Sequence, residues 1–375
     1  MRALVYRGPG NVRVTEAREP EILHDDDIII KVAACAICGS DLHIYHGMIP
    51  KMSAGSALGH EAVGVVVETG KGVRSLKKQD RVVVPFPVAC GHCFYCEGGL
   101  WSQCDESNPY GETGGMLGYG RLFGDYGGAQ AEYLRVPYAN AGPVVLPEEL
   151  GDEQALLLAD ALPTSCWAVE TAGVKKDDTV AVLGCGPVGL LAVKWAALAG
   201  ARRIIAADWV EYRLERAASF GAETVDIARH KNAGEHIKEL TGGGADAVID
   251  CAGMGARAST FEKIETFFKL QGGSKSAIEI AAQAVRKGGT VSIAGVYGAR
   301  YNMFPLGDFF ARNVSLRMGL CPAQGYIRKI LPLIMNKEID LSGIVTHRFR
   351  LDMGARAYEI FDKKKDGCIK VVLRP

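Results

Sequence analysis

The run TVAVLG, residues 179–184, ends in Gly184-Cys185-Gly186-Pro187-Val188-Gly189 and passes at once into the helical stretch LLAVKWAALAG. A strand that ends in closely spaced glycines and feeds a helix opens a strand–helix–strand crossover, which ties its neighbours to a parallel sheet. The alternation continues downstream, with RRIIAADW as strand, EYRLERAASFG as helix and ADAVIDCAG as strand. A helix near SAIEIAAQAVRKGG and the strand GTVSIAGVYG follow. This pattern predicts an α/β domain with a doubly wound parallel sheet.

The chain before it has a different texture. Residues 1 to about 160 read as mainly β, in short runs such as DIIIKVAA, AVGVVVETG and DRVVVPF between glycine, proline and charged turns. MRALVYRGPGNVRV alternates apolar and polar residues and turns at Gly8-Pro9-Gly10. Beyond Asp152, EQALLLADALPTSCWAVETAG has helical length, and Pro163 should break or restart it. The tail from Arg317 holds a helix, YIRKILPLIMNKE, and a closing strand, CIKVVLRP, which return to the first domain. At 375 residues the chain exceeds one ordinary core. The expected domains are 1–163 for the mainly-β part, 164–316 for the doubly wound part and 317–375 for the return.

Lysine plus arginine equals aspartate plus glutamate, at 43 each, so the chain offers no basic field to nucleic acid or to a membrane surface. The first residues lack the apolar core of a signal peptide, and no apolar run is long enough to span a bilayer. The expected location is the cytoplasm. In a reducing compartment clustered cysteines are more often metal ligands than disulfides. That matters here, because four of the 11 cysteines fall within residues 90–104.

The glycine run lies between a strand and a helix, and Asp208 ends the next strand about 20 residues on, as a dinucleotide-binding fingerprint requires. Gly184, Gly186 and Gly189 let the backbone turn tightly and approach a pyrophosphate, which the helix N-terminus stabilises. The Asp208 carboxylate can accept bonds from both ribose hydroxyls and repels a 2′-phosphate, so NAD is expected over NADP. Arg213 could pair with a 2′-phosphate; beside Asp208 it reads as a solvated helix arginine or a stacker on adenine.

CGHCFYCEGGLWSQC spaces its cysteines as C-x2-C-x2-C-x7-C. The bacterial iron–sulfur run has its fourth cysteine after three residues and then proline, whereas here the gap is seven and Asp105 follows. Cys90, Cys93, Cys96 and Cys104 fit better as a tetrahedron around zinc, with no position left for substrate. Such a site braces the fold, and chemistry must be sought elsewhere. ICGSDLH supplies Cys38, Ser40 and His43, and GHEAVGVVVETG supplies His60 and Glu61. Asp160, in LLLADALP, is either a helix-terminal cap, a surface position or a buried carboxylate in need of a cation. Cys38, His60 and Asp160 together would bring two negative charges to Zn²⁺ and leave a fourth position open, as a catalytic zinc requires.

Gly59-His60-Glu61-x2-Gly64-x5-Gly70-x2-Val73, the four-cysteine lobe, Cys38 with Ser40 and His43, and the later glycine fingerprint make a set. The set resembles the zinc-containing alcohol dehydrogenases of the medium-chain superfamily over essentially the whole chain. The resemblance implies a GroES-like catalytic domain split in sequence around a Rossmann coenzyme domain. By position, Cys38, His60 and Asp160 correspond to the catalytic zinc ligands, aspartate at the third place marking a subset. Glu61 corresponds to a residue that in some relatives approaches or replaces a ligand. Ser40 corresponds to the hydroxyl beside the substrate oxygen, and His43 to the distal end of the proton relay. Phe86 matches a pocket wall, and Thr164, Val296 and Lys370 match coenzyme contacts. Gly39 departs from relatives with a basic residue there, which removes one phosphate contact. Residues 254–275 are longer than the usual loop and, with Asp160, are similar to the glutathione-independent formaldehyde dehydrogenase and aldehyde dismutase branch.

The implied activity is reversible, NAD-linked oxidation of an alcohol to an aldehyde or ketone. About two zinc ions per subunit are implied, one catalytic and one structural, in a homo-oligomer, dimer or tetramer. A polyol or threonine dehydrogenase is the neighbouring reading. A non-enzymatic relative is the reading from another class, and the intact set of zinc ligands speaks against it.

Overall fold

The computed structural model describes residues 1–255, 274, 276–298 and 304–375. The chain divides into two compact units, Met1–Pro163 with Pro322–Pro375, and Thr164–Cys321. The first opens with β1 (Arg2–Gly8), β2 (Asn11–Glu16), β3 (Ile28–Ile37), β4 (Ala62–Thr69) and β5 (Arg81–Val84). It continues with β6 (Pro87–Val88), β7 (Gly115–Met116), β8 (Tyr133–Val136) and β9 (Val144–Val145). The second carries β10 (Thr179–Leu183), β11 (Arg203–Asp208), β12 (Glu223–Asp226), β13 (Ala245–Asp250), β14 (Val285–Ile293) and β15 (Ser315–Met318). The returning chain adds β16 (Val345–Arg350) and β17 (Lys370–Arg374).

The main sheet of the first unit runs β16-β17-β3-β4-β5-β9, with β8 also pairing β3. Ile28, Ile30, Val63, Val83 and Val372 are fully buried in it. Its register places the chemistry. β3 pairs antiparallel with β4 through Cys35↔Ala62, so Cys38, just past β3, and His60, just before β4, emerge at one end of the sheet. β17 pairs antiparallel with β3 through Val371↔Ile37, which brings Lys370 to that end too. A third segment arrives from a broken helix: Asp152–Leu157 ends and Ala161–Ala172 begins, with Asp160 in the gap. Pro163 thus restarts a helix, sitting in a first turn where its missing N–H is not needed.

In the second unit every strand pair among the described residues is parallel, in the order β12-β11-β10-β13-β14-β15. This is the doubly wound order, with its reversal beside β10. Ala181, Ile205, Val248 and Val291 of the sheet share one core with the helical residues Ile237, Ile278 and Ala281. The boundary expected at residue 316 moves to Cys321, because β15 pairs β14 through Val291↔Leu316 and still belongs to this sheet. Among the described residues no helix is long and apolar enough to cross a membrane.

Candidate functional site

The four-cysteine lobe closes on itself. Cys93 precedes the short helix Phe94–Glu97, Cys96 lies within it, and Cys104 sits between two single 3-10 turns. Gly91 and Gly99 take positive φ, 88° and 79°, where the chain reverses around the cluster. Cys90 Sγ lies 3.9 Å from Cys96 Sγ, and Cys93 Sγ lies 3.9 Å from Cys104 Sγ. A ZnS₄ tetrahedron with bonds of about 2.3 Å has edges of about 3.8 Å, so the sulfurs already stand where such an ion needs them. Backbone N–H groups of Cys90, His92 and Cys93 donate to the Cys104 and Cys90 sulfurs. Burial pushes the Cys90 and Cys96 thiols up; burial also opposes ionisation of Cys93, but backbone N–H groups of Cys96 and Asp105 bring it down to about 6. A dication among four sulfurs deprotonates them outright.

The second cluster is open and mixed. Ligand atoms of Cys38, His60, Glu61 and Asp160 all lie within 4.8 Å of one another. Asp160 Oδ2 is 3.2 Å from both Cys38 Sγ and His60 Nε2. Tetrahedral N–O and S–O edges around zinc come to about 3.3–3.6 Å, close to that spacing. His60, Glu61 and Asp160 are buried, and Cys38 is half-buried. The other face of the His60 ring turns Nδ1 toward Asp41 Oδ1 at 3.3 Å, an electrostatic contact rather than a well-formed hydrogen bond. Asp41 Oδ2 accepts from the Cys38 backbone N–H at 2.9 Å and from Gln130 Nε2 at 3.3 Å, so one carboxylate fixes two of the ligands.

Charge explains why this cluster needs a cation. Asp41, Glu61 and Asp160 are buried carboxylates, and the Lys370 ammonium is a buried cation among them. Burial pushes the Cys38 thiol up, and the Asp160 charge adds to it. Burial opposes charge on His60, but Asp41 and Asp160 outweigh it and hold the ring protonated, a proton that a bound dication displaces. Glu61 Oε1 accepts from Lys370 Nζ at 2.5 Å, while its Oε2 has no hydrogen-bond partner among the described residues.

Lys370, expected to contact the coenzyme, is 1 % exposed, and its ammonium is held by Glu61 where β17 lies between its neighbours β16 and β3. Ser40 and His43 share one turn, His43 N donating to Ser40 O at 3.1 Å. His43 is buried; burial first, and His46 second, bring its imidazole down to about 4. Phe86 packs edge-on to the His60 ring at 6.0 Å, and nothing among the described residues crowds Gly39.

In the second unit Gly184 takes φ +89°, and a Cβ on Gly189 would overlap the Gly184 carbonyl oxygen. Both positions demand glycine. Gly186 is the N-cap of the helix Pro187–Leu198, with Pro187 at its first position and Val188 next. Asp208 ends β11, its Oδ2 accepting from Cys185 N at 2.7 Å and its Oδ1 from Trp209 N and Val210 N at 2.6 and 3.0 Å. Of the two places expected for Arg213, its side chain does not take the solvated one: it is 12 % exposed and drawn to 3.9 Å from Asp208 by the opposite charge. Thr164 lies half-buried in the helix Ala161–Ala172, and Val296, past β14, accepts from Met254 N at 2.8 Å. Of the segment 254–275, expected as a longer loop similar to the aldehyde dismutase branch, the described residues are Met254, Gly255 and Ser274, and the rest of it lies outside them.

A closed thiolate cage, an open mixed-ligand cluster and a dinucleotide-type sheet in one chain define a zinc-binding dehydrogenase. Residues 24–147 match the alcohol dehydrogenase GroES-like domain, and residues 187–272 match the zinc-binding dehydrogenase domain. An uncharacterised zinc-type alcohol dehydrogenase-like protein, AdhB, of Bacillus subtilis (strain 168) is 51% identical over 378 residues, covering 100% of both chains. The glutathione-independent formaldehyde dehydrogenase of the same organism is 34% identical over 399 residues, 96% of this chain and 94% of that one. Among solved structures, alcohol dehydrogenase TADH from Thermus sp. ATN1 superposes with a TM-score of 0.86 at 36% identity, over 100% of this chain and 99% of that one. The chain belongs to the zinc-containing alcohol dehydrogenase family.

Proposed function

We propose that the protein oxidises an alcohol to its aldehyde or ketone with NAD, reversibly, at the Cys38–His60–Asp160 cluster. The convergence of those three ligand atoms in a buried, carboxylate-rich site carries the reading. Zinc held there would act as a Lewis acid on the substrate oxygen and lower the pKa of its hydroxyl. Cys38 Sγ, His60 Nε2 and Asp160 Oδ2 would hold the ion, with Asp41 fixing the His60 ring and Lys370 keeping Glu61 from adding a full extra charge. Ser40 takes the proton leaving the substrate hydroxyl. His43, neutral near pH 7, passes that proton on rather than storing it.

NAD is supported by Asp208, whose carboxylate is anchored by three backbone N–H groups at the carboxyl end of β11. Eleven free cysteines support work in a reducing compartment such as the cytoplasm. Exposed Leu306, Phe310 and Met318, on and just before the edge strand β15, support a homo-oligomer.

The test is a panel of small alcohols with zinc-replete protein and each coenzyme. NAD should be favoured in kcat/KM by about tenfold or more, roughly 1.4 kcal/mol, and Asp208→Gly should narrow the gap. Equal use of both coenzymes by the unmutated protein contradicts the Asp208 reading. Stoichiometric NAD released on denaturing protein purified without coenzyme would move the assignment to the aldehyde dismutase branch, to which Asp160 and the 34% identical relative lend support.

A further inference from the structure

The loop between β7 and β8 brings Tyr119 to the open metal cluster. Tyr119 is 3% exposed, and its ring packs edge-on against His60 at 5.7 Å and Phe123 at 5.6 Å. Gly118, at φ +68°, lies so close to Gly59 that a Cβ there would overlap the Gly59 backbone. That close approach pins the loop to the segment that carries His60. The hydroxyl faces Ser40 and lies within the fields of His60, Asp41 and Cys38, yet it completes no hydrogen bond among the described residues. A phenol O–H is a hydrogen-bond donor at neutral pH. A buried donor left unpaired costs about 1–3 kcal/mol, a penalty that a bound oxygen would remove.

We propose that the Tyr119 hydroxyl binds a second substrate oxygen, on the carbon next to the one oxidised, and so selects vicinal diols and similar alcohols over plain ones. The proposal rests on the alcohol oxidation proposed above. Ser40 attends the reacting oxygen, and the hydroxyl that faces Ser40 is placed for the oxygen beside it. Two neighbouring protein hydroxyls match two neighbouring substrate oxygens. A plain alcohol leaves Tyr119 unpaired in the complex, and sites built to bond a substrate hydroxyl discriminate strongly against analogues that lack it. If Tyr119 served only as packing, phenylalanine would do as well.

The experiment compares propylene glycol with n-propanol on zinc-loaded wild-type and Tyr119→Phe enzyme with NAD. Wild-type kcat/KM should favour the diol by about tenfold or more, and Tyr119→Phe should lose about tenfold on the diol and less than about twofold on n-propanol. Independently of turnover, the diol should raise the Tm of the zinc-loaded wild type more than n-propanol does, and the substitution should abolish that difference. A wild type without diol preference overturns the proposal, as does an equal loss on both alcohols. If neither alcohol reduces NAD although zinc is fully loaded, the proposed activity fails. The Tm comparison then decides the Tyr119 contact by itself: a diol-specific shift sustains it and equal shifts overturn it.

Discussion

Asp160→Asn is expected to empty one metal site, leave the other full, and lower turnover by about 100-fold or more. Asparagine keeps the bulk of the side chain and removes its charge. The lost carboxylate oxygen is the one that stands 3.2 Å from both Cys38 Sγ and His60 Nε2. Changes in groups that merely orient metal ligands cost about 10–100-fold, so loss of a ligand should reach at least the top of that range. Zinc per chain should fall by about one, because the four-cysteine site shares no residue with this cluster. Elemental analysis and NAD reduction on the same preparation check both halves. Full zinc with near-normal turnover would instead make Glu61 the third ligand, through the oxygen that has no hydrogen-bond partner.

The opposite dissociation is expected of Cys96→Ser. Cys96 is 2% exposed and stands in a lobe with no residue of the open cluster, so its sulfur stabilises and does not react. If serine forfeits even about 3 kcal/mol of the roughly 10–16 kcal/mol that structural zinc contributes, the Tm should fall by about 6–12 °C. Surviving enzyme should keep a KM for alcohol close to that of the wild type. Calorimetry with zinc analysis checks it: unchanged Tm and unchanged zinc content would show that the lobe is not a metal brace.

What could be read from the sequence, and what could not, divides along one physical line. Strand–helix alternation after Thr179, the glycine turn and the four cysteines are local patterns, and local patterns fix local geometry. β12 and the helix Ala233–Leu240 escaped because ETVD offers Val225 as its one buried side chain, too little apolar signal for an edge strand. The third ligand was legible only because Asp160 stands out among leucines and alanines. The pairing of Glu61 with Lys370 spans 309 positions and follows from β17 docking against β3, which no window of sequence reveals. Tyr119 and Gln130 escaped for the same reason: nothing in GMLGYGRLF marks a hydroxyl that will face Ser40. Asp41 had a faint signal, an acid in the same short stretch as Cys38, Ser40 and His43.

Of the two zinc ions, the one at Cys38, His60 and Asp160 is expected to serve the reaction and the one in the four-cysteine lobe to hold the fold. The most direct measurement follows zinc per chain and NAD-reduction rate together during stepwise chelation. A site with three protein ligands and an open position should release its ion before a closed cage of four thiolates. Activity should vanish as about the first zinc per chain leaves, with the Tm nearly unchanged, and added zinc should restore it. Activity that survives complete zinc removal, or that is lost only as the protein unfolds with the last ion, would contradict the account.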